Sequence, residues 1–224
     1  MARSTRIRRK DLKRPDEFLT LTGRTLDWAR ANQRPLLVAG IAALLVVLGI
    51  SGLVTLRRAR QRDANADLAR ALSSYREGKP ADVAKQLSEV SDRWSSTSPG
   101  QFAGLLAAEA EVRAGDPKSA IAGFESVLAL RGLPPYLRQQ AVLGYGSALE
   151  QEGQTKEALG KYSEAVEMDG PYKAPAMLAA ARLHDALGEH AEAVALYKKV
   201  QQDFPDVASR EGVEPKLAAA ANFP

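Results

Sequence analysis

The sequence predicts an all-α protein that consists of one apolar N-terminal helix followed by an array of helical hairpins. Three observations support this fold class. An uncharged apolar run of 21 residues extends from Leu36 to Leu56, and four related segments follow it at spacings of 37, 38 and 35 residues. The composition is also rich in alanine and contains only 6% aromatic residues. Alanine favours helix over strand, whereas β-sheets are enriched in aromatic and β-branched residues.

The composition divides the chain into five segments. A basic tail precedes the apolar run, a basic juxtamembrane linker follows it, and a repeat domain leads to a C-terminal tail. These segments are 1–35, 36–56, 57–62, 63–205 and 206–224. In the first segment two alternatives stay open: a short amphipathic helix between Pro15 and Gln33, or a disordered basic leader with a stretch along the membrane. We expect the last segment to form a short cap or to fray.

The run from Leu36 to Leu56 has the length and composition of a transmembrane helix. At about 1.5 Å of rise per residue it reaches about 31 Å, close to the thickness of a hydrocarbon core. Thirteen of its residues are Leu, Val or Ile, which favour membrane insertion. The basic region before it is longer than that of a signal peptide, and no small-residue cleavage site follows. The sequence therefore predicts an uncleaved signal anchor in the lipid bilayer.

The charge distribution favours lipid over nucleic acid as the partner of the basic residues. Residues 1–62 carry 14 Lys and Arg against 4 Asp and Glu, whereas residues 63–224 carry 17 against 23. The positive charge therefore flanks the apolar run, where anionic headgroups lie. Counted as a whole, the basic tail predicts a cytoplasmic N-terminus and a repeat domain outside the cytoplasm. Six arginines within 20 residues after the run favour the inverse topology, which stays open.

Four segments after the run share one spacing of small and large apolar residues. A glycine is followed by a small or branched apolar residue at +5, a large apolar or aromatic one at +9, and Val or Ala at +12. The copies are Gly78, Val83, Leu87 and Val90; Gly115, Ala120, Phe124 and Val127; Gly153, Ala158, Tyr162 and Ala165; Gly188, Ala193, Tyr197 and Val200. This spacing resembles the tetratricopeptide pattern, in which each repeat is a hairpin of helices A and B. The glycine lies in the turn between them, where a left-handed conformation is often needed.

Hairpins of this kind bury their apolar faces only against their neighbours, so the array curves into a superhelix with a concave surface lined by A helices. We expect protein partners to bind on this surface. The repeat register assigns nine residues to it: Tyr75, Arg76, Glu109, Arg113, Gln140, Ser147, Glu150, Arg182 and Asp185.

No motif in the sequence indicates catalysis or cofactor binding. Cysteine is absent, which excludes disulfides, thiol catalysis and cysteine-ligated zinc sites. The segment Gly144-Tyr145-Gly146 lacks the third glycine and the preceding strand of a phosphate-binding loop, and it falls inside a predicted helix. His184 and His190 are six residues apart, a spacing that does not place them on one helix face. We predict a non-catalytic protein with no metal, cofactor, nucleic acid or small-molecule substrate.

The order of these segments resembles the YfgM-like family of ancillary SecYEG translocon subunits in Gram-negative bacteria. The resemblance covers roughly residues 30–205. It is carried by the apolar span with its basic flank, Leu36–Arg62, and by the repeat that begins RALSSYREGKPADVAKQL at Arg70. Members of that family are inner-membrane proteins with a periplasmic repeat domain, and they associate with the Sec translocon and a membrane-anchored prolyl isomerase chaperone. The resemblance implies an adaptor that helps newly exported proteins.

Two features depart from that family's usual pattern: the N-terminal tail is longer and more basic, and four arginines directly follow the span. Because helical hairpins of this type serve many functions, three alternatives stay open. The first is a membrane-tethered scaffold for the assembly of another envelope or secretion complex. The second is a module that binds a peptide or polymer of the cell envelope, and the third is the inverted topology with a cytoplasmic partner.

Overall fold

The computed structural model describes residues 27–75 and 79–221, apart from the side chains of residues 74 and 75. Every regular element within these ranges is a helix, which confirms the prediction of an all-α protein. The chain divides into two compact units, Met1–Arg57 and Arg58–Pro224.

Helix α1 runs from Gln33 to Tyr75 and contains the whole apolar run. Pro35 lies in its first turn, where proline is tolerated because the backbone N–H has no intrahelical acceptor there. The large apolar side chains between Leu36 and Leu56 are exposed. Among the described residues, α1 is the one helix long and apolar enough to cross a membrane, with a mean hydropathy of 2.7 over its most apolar part.

Residues 57–62, which the sequence assigns to a linker, continue α1 without a break. The reason is local, because arginine, alanine and glutamine are good helix formers and no glycine or proline interrupts them. Residues 27–31 are also helical. Most of the segment from Pro15 to Gln33, for which a helix was one of two alternatives, lies outside the described residues.

Nine further helices follow α1 within the described residues. They are α2 Pro80–Trp94, α3 Ser98–Ala114, α4 Pro117–Leu128, α5 Pro135–Gln151, α6 Thr155–Glu167, α7 Lys173–Ala186, α8 His190–Asp203, α9 Pro205–Arg210 and α10 Val213–Ala221. The pairs α3–α4, α5–α6 and α7–α8 form hairpins, and each consecutive pair of hairpins packs together through neighbouring helices. In repeat nomenclature α3, α5 and α7 are A helices, and α2, α4, α6 and α8 are B helices.

A left-handed glycine follows the A helix in each of these three hairpins. The φ angle is 76° at Gly115, 82° at Gly153 and 80° at Gly188. A residue with a Cβ would be strained at these angles, which is why the turn depends on glycine. Gly78, the corresponding residue of the first copy, lies outside the described residues.

Helices α1 and α2 are joined by the carboxylate of Asp67. Its Oδ2 accepts hydrogen bonds from Trp94 Nε1 at 2.8 Å and from Arg93 NH1 at 3.2 Å, and Oδ1 pairs with Arg70. The hydrogen bond from Trp94 is the largest cause of a lowered pKa at Asp67. These polar contacts therefore connect the two helices of the first hairpin in addition to its apolar core. The sequence of this hairpin is the least regular of the four.

The apolar positions of the repeat pattern form the core of the array. Each is at most 8% exposed: Val83, Leu87, Val90, Ala120, Phe124, Val127, Ala158, Tyr162, Ala165, Ala193, Tyr197 and Val200. Two glycines of α5 admit aromatic rings from the adjacent B helices. A Cβ on Gly144 would lie 2.5 Å from Phe124 Cζ, and one on Gly146 would lie 2.6 Å from Tyr162 Cε1. The Gly144-Tyr145-Gly146 segment is thus a packing feature.

A fully buried polar residue of α5, Gln139, connects α6 to α7. Its Nε2 donates to the carbonyl oxygens of Ala165 at 3.0 Å and Met168 at 2.9 Å. Its Oε1 accepts from the backbone N–H of Tyr172 at 3.1 Å. A Cβ on Gly170 would lie 2.3 Å from that oxygen, so a larger residue there would displace the Gln139 amide from these hydrogen bonds.

Helices α9 and α10 cover the last hairpin. Val213 and Ala220 of α10 are at most 1% exposed, and they belong to the same apolar cluster as Tyr197 and Val200 of α8. The tail that the sequence left open between a cap and a frayed end is therefore helical as far as Ala221. It shields an apolar face that the last repeat of an array would otherwise expose.

Candidate protein-binding site

The A helices α3, α5 and α7 carry seven of the nine residues that the register assigned to a partner surface. These are Glu109 and Arg113 on α3, Gln140, Ser147 and Glu150 on α5, and Arg182 and Asp185 on α7. We call the surface that these seven form the A-helix face. Tyr75 is the last residue of α1 and its side chain is not described, whereas Arg76 lies outside the described residues.

A chain of hydrogen bonds crosses the A-helix face from α3 to the start of α7. Gln140 Nε2 donates to Glu109 Oε1 at 2.7 Å, and the Tyr172 hydroxyl donates to Gln140 Oε1 at 2.7 Å. Burial raises the pKa of Glu109, and the hydrogen bond from Gln140 opposes this change. Burial, followed by the charge of Glu109, raises the pKa of Tyr172. Three consecutive hairpins are therefore linked by side chains about one repeat apart.

A second network joins α5 to α7 through a bidentate ion pair. Arg182 NH1 and NH2 donate to the two carboxylate oxygens of Glu150, each at 2.7 Å. The buried Tyr162 hydroxyl on α6 donates to Glu150 Oε2 at 2.8 Å. The hydrogen bonds from Arg182 are the largest cause of the lowered pKa of Glu150. The Arg182 side chain is still 57% exposed, so part of its guanidinium faces solvent.

The other two residues from α3 and α5 are Arg113 and Ser147. Arg113 Nε donates to the backbone carbonyl of Glu109 at 3.4 Å, on the exposed last turn of α3. Ser147 is half-buried, and a hydrogen bond to it lowers the pKa of Tyr162 against the larger effect of burial.

The remaining predicted residue, Asp185, lies in a cleft at the C-terminal end of the array. Its Oδ1 lies 2.8 Å from His190 Nδ1, across the turn at Gly188. The cleft has a volume of about 400 Å³ and is also lined by Arg182, Tyr197 and Lys216. Lys216 Nζ donates to the backbone carbonyl of Glu211 at 2.8 Å. We call this space the C-terminal cleft.

The C-terminal cleft contains the residues that correspond to Glu150 and Tyr162 one repeat later, but without the hydrogen bond between them. Asp185 and Tyr197 occupy the positions of Glu150 and Tyr162 in the next repeat, three residues before and nine residues after the turn glycine. Tyr162 donates to Glu150, whereas the Tyr197 hydroxyl has no hydrogen-bond partner among the described residues although Tyr197 is only 3% exposed. Burial is the largest cause of the raised pKa of Tyr197. The Tyr197 hydroxyl is therefore available to a binding partner in this cleft.

Both histidines of the chain lie at the end of this surface, beside the turn at Gly188. His184 Nδ1 lies 2.6 Å from Glu189 Oε2, so both histidines pair with carboxylates around one turn. Within the described residues no group of three or more His, Asp or Glu is placed to hold a metal ion. Hydrogen-bonding and charged side chains of this kind are common at the rims of protein interfaces.

Sequence reasoning did not identify three residues of this surface. Tyr172 precedes α7 and occupies no position of the repeat pattern, whereas Tyr197 was assigned to the core alone. Lys216 belongs to a segment that was expected only to cap the array or to fray. The helical spacing of Val213, Leu217 and Ala220 could have indicated Lys216. This spacing predicts a helix whose apolar face packs on the array, with Lys216 on its other, polar face.

Comparison with known proteins identifies the domain type. The family model described as a tetratricopeptide repeat-like domain matches residues 27–222. This match includes the apolar run as well as all four hairpins. No curated protein and no solved structure matches the chain.

Proposed function

We propose that this chain, which belongs to the tetratricopeptide repeat-like domain family, is a non-catalytic adaptor anchored in a membrane by α1. Domains of this type are typically protein-interaction modules. In the proposed function the A-helix face binds a protein partner, and the C-terminal cleft supplies its most open contacts. The observation that carries this proposal is the contrast between the closed Glu150 network and the cleft around Tyr197, where the Tyr197 hydroxyl has no hydrogen-bond partner among the described residues.

The exposed apolar run of α1 supports membrane anchoring. Soluble proteins rarely leave contiguous apolar surface of this extent in water, because each exposed apolar side chain loses a transfer free energy of about 1.5–3 kcal/mol relative to burial. Between Leu36 and Leu56 the large apolar side chains are 40–68% exposed. A bilayer would remove this surface from water.

The finer proposal is an adaptor that links the Sec translocon to periplasmic chaperones. It rests on the resemblance to the YfgM-like family and on the basic tail, which favours a cytoplasmic N-terminus and a periplasmic domain in a bacterial inner membrane. The partners in this proposal are SecYEG and a membrane-anchored prolyl isomerase.

A second candidate is a scaffold for another envelope or secretion complex with its domain in the cytoplasm. It is favoured by the four arginines that directly follow the apolar run, Arg57, Arg58, Arg60 and Arg62. They are exposed on α1 and have no ion-pair partner among the described residues. Arginines at this position are the usual signal that retains a segment in the cytoplasm.

Protease protection separates the two topologies. Intact spheroplasts that carry the chain with a C-terminal tag are treated with protease, and a cytoplasmic protein serves as the control. We expect the tag to be digested while the control survives. A tag that is protected until detergent is added would overturn the periplasmic adaptor and leave the cytoplasmic scaffold.

Site-specific photocrosslinking tests the binding surface and its partner. A photoreactive residue at Ala219, which is exposed and lines the C-terminal cleft, is compared with one at Ser163, which is exposed on α6. We expect adducts with the translocon and the prolyl isomerase at Ala219 and none at Ser163. Adducts with components of another envelope complex would support the scaffold. Equal labelling at both positions would contradict the proposed surface.

A further inference from the structure

A second cleft lies between α2, α3 and α4 and is separate from the A-helix-face networks. It has a volume of about 200 Å³. Its walls carry the carboxylates of Asp92 and Glu111 and four serine hydroxyls, from Ser88, Ser91, Ser95 and Ser126. None of its lining residues is basic. We call it the Glu111 cleft.

The Glu111 carboxylate is incompletely satisfied. Its Oε2 atom is buried and has no hydrogen-bond partner among the described residues. Neither Glu111 nor Asp92 forms an ion pair within the described part of the chain. A buried polar atom without a partner lowers stability, so its presence in a native structure calls for a ligand, water or functional reason.

The repeat pattern makes the position of Glu111 informative. Glu111 lies four residues before its turn glycine, where the next hairpin has Leu149, which is 5% exposed in an apolar cluster, and the last hairpin has His184. The array therefore has a carboxylate where the following repeat buries a leucine. Packing alone therefore does not require a carboxylate at this helix position, because leucine fills it one repeat later.

Two glycines keep the cleft open at the same place. Gly104 and Gly123 stand where the next hairpin has Val142 and Lys161. A Cβ on Gly104 would lie 2.5 Å from Ser91 Oγ, and one on Gly123 would lie 3.2 Å from Glu111 Oε2. Three departures from the following repeat, two glycines and one acid, thus converge on one cavity.

We propose that the Glu111 cleft binds an ammonium group, as carried by the lysine side chain of a partner protein. An ammonium group has three N–H donors, which match a carboxylate oxygen and surrounding hydroxyls. Charge favours this occupant, because the lining holds two carboxylates and no cation, and residues 63–224 carry 17 Lys and Arg against 23 Asp and Glu. The alanine and glycine residues that line the cleft can contact the methylene groups of a lysine side chain while its ammonium group reaches the carboxylates.

The test follows the titration of Glu111 in the full chain in detergent micelles. Burial, followed by the charge of Asp116, raises its pKa in the free protein. Carbon-13 NMR of labelled glutamate side chains, assigned with Glu111→Gln, is recorded with n-butylammonium chloride, with sodium chloride of equal ionic strength, or with n-butanol. We expect only n-butylammonium to lower the pKa of Glu111, by about 1, because an opposite charge within a few ångströms favours the ionised form.

Glu109 is the internal control, since it lies on the same helix and is already hydrogen-bonded to Gln140. An unchanged Glu111 titration, or an equal change at Glu109, would overturn the proposal and leave water as the occupant of the cleft. Gly123→Ala should abolish the response by placing a methyl group beside Glu111 Oε2, whereas Gly160→Ala, whose Cβ meets no atom within 4 Å, should preserve it. If Gly123→Ala does not fold, the comparison of n-butylammonium with n-butanol in the wild type decides alone.

Discussion

At the scale of single residues, this array depends on side chains that connect helices about one repeat apart. Gln139 accepts one backbone N–H and donates to two backbone carbonyls, all 26–33 residues along the chain. Glu150 accepts hydrogen bonds from Arg182, 32 residues along the chain, and from Tyr162, 12 residues along the chain. Removing one of these side chains leaves its hydrogen-bond partner buried and unpaired. The resulting loss in the free energy of unfolding exceeds the net contribution of the hydrogen bond itself.

Replacing Gln139 by leucine should destabilise the junction between α6 and α7. The change leaves the carbonyls of Ala165 and Met168 and the N–H of Tyr172 without this partner, with an expected loss of about 1–3 kcal/mol in the free energy of unfolding. Urea unfolding followed by far-UV circular dichroism measures it. The exposed Gln151 on the same helix is the control, and a Gln151→Leu variant that loses as much stability would refute the role of Gln139.

Replacing Arg182 by glutamine should alter the pH dependence of stability. Arg182 holds the pKa of Glu150 below its ordinary 4.5, so the pair stabilises the fold above that value and the stabilisation disappears as pH falls through the folded-state pKa. In the variant we expect the Glu150 pKa to rise towards 4.5, with a loss below about 1 kcal/mol near neutral pH because the pair is partly exposed.

An NMR titration of the Glu150 carboxyl carbon measures this change. Arg210→Gln provides the control, since Arg210 is 73% exposed on α9 and does not bond to Glu150. A Glu150 pKa that is the same in wild type and Arg182→Gln would show that the ion pair does not form in solution.

At the scale of elements, each of the three hairpins between α3 and α8 combines one left-handed glycine with small residues at the helix crossing. Ala120, Ala158 and Ala193 are 0% exposed on three successive B helices, and the space near Ala158 is further limited by Tyr162 against Gly146. Protein interiors are closely packed, so a larger side chain at one of these alanines requires movement of the backbone.

Ala158→Trp should therefore unfold the array without changing the proposed insertion of α1 in a membrane. Overpacking typically destabilises by about 1–3 kcal/mol, and replacing a fully buried alanine by tryptophan lies at the upper end or beyond. Limited proteolysis of the membrane-bound chain measures the loss of a resistant domain, and carbonate extraction measures insertion. Ser163→Trp places the same ring on an exposed position of α6. Unchanged resistance of Ala158→Trp would contradict the repeat register.

At the scale of the whole molecule, the array of hairpins is closed at its C-terminal end by α9 and α10. Met177, Tyr197 and Val200 of the last hairpin are at most 3% exposed because Val213 and Ala220 cover their cluster. In repeat proteins the terminal unit needs such a cover, since stability propagates from each repeat to its neighbour.

Deletion of residues 205–224 should lower the midpoint of thermal unfolding and cause self-association of the exposed apolar face. Removing only residues 222–224 leaves α10 intact and serves as the control. Circular dichroism and analytical ultracentrifugation measure the two effects. A deletion variant that stays monodisperse with an unchanged midpoint would show that α9 and α10 do not stabilise the array.

The sequence by itself determined the features that depend on local backbone and side-chain periodicity. The apolar run from Leu36 to Leu56, the left-handed turns at Gly115, Gly153 and Gly188, and the helical hairpins between them all follow from short-range preferences. Glycine alone tolerates those φ angles at low cost, and an apolar spacing of 3.6 residues identifies a helix without its partners. The same local rule explains why residues 57–62 are helical: they contain no helix-breaking residue.

The tertiary structure alone decided which polar groups meet. Glu109 with Gln140, Glu150 with Arg182, and Gln139 with the turn before α7 are pairs separated by 31–33 residues. The repeat register placed the first four of these residues on one surface, but it did not indicate which of them would bond to each other. The Glu111 cleft and the open position of Tyr197 likewise appear only when neighbouring repeats are stacked. The physical reason is that a hydrogen bond needs its two atoms within about 3 Å, a condition set by the packing of the helices rather than by the sequence around either residue.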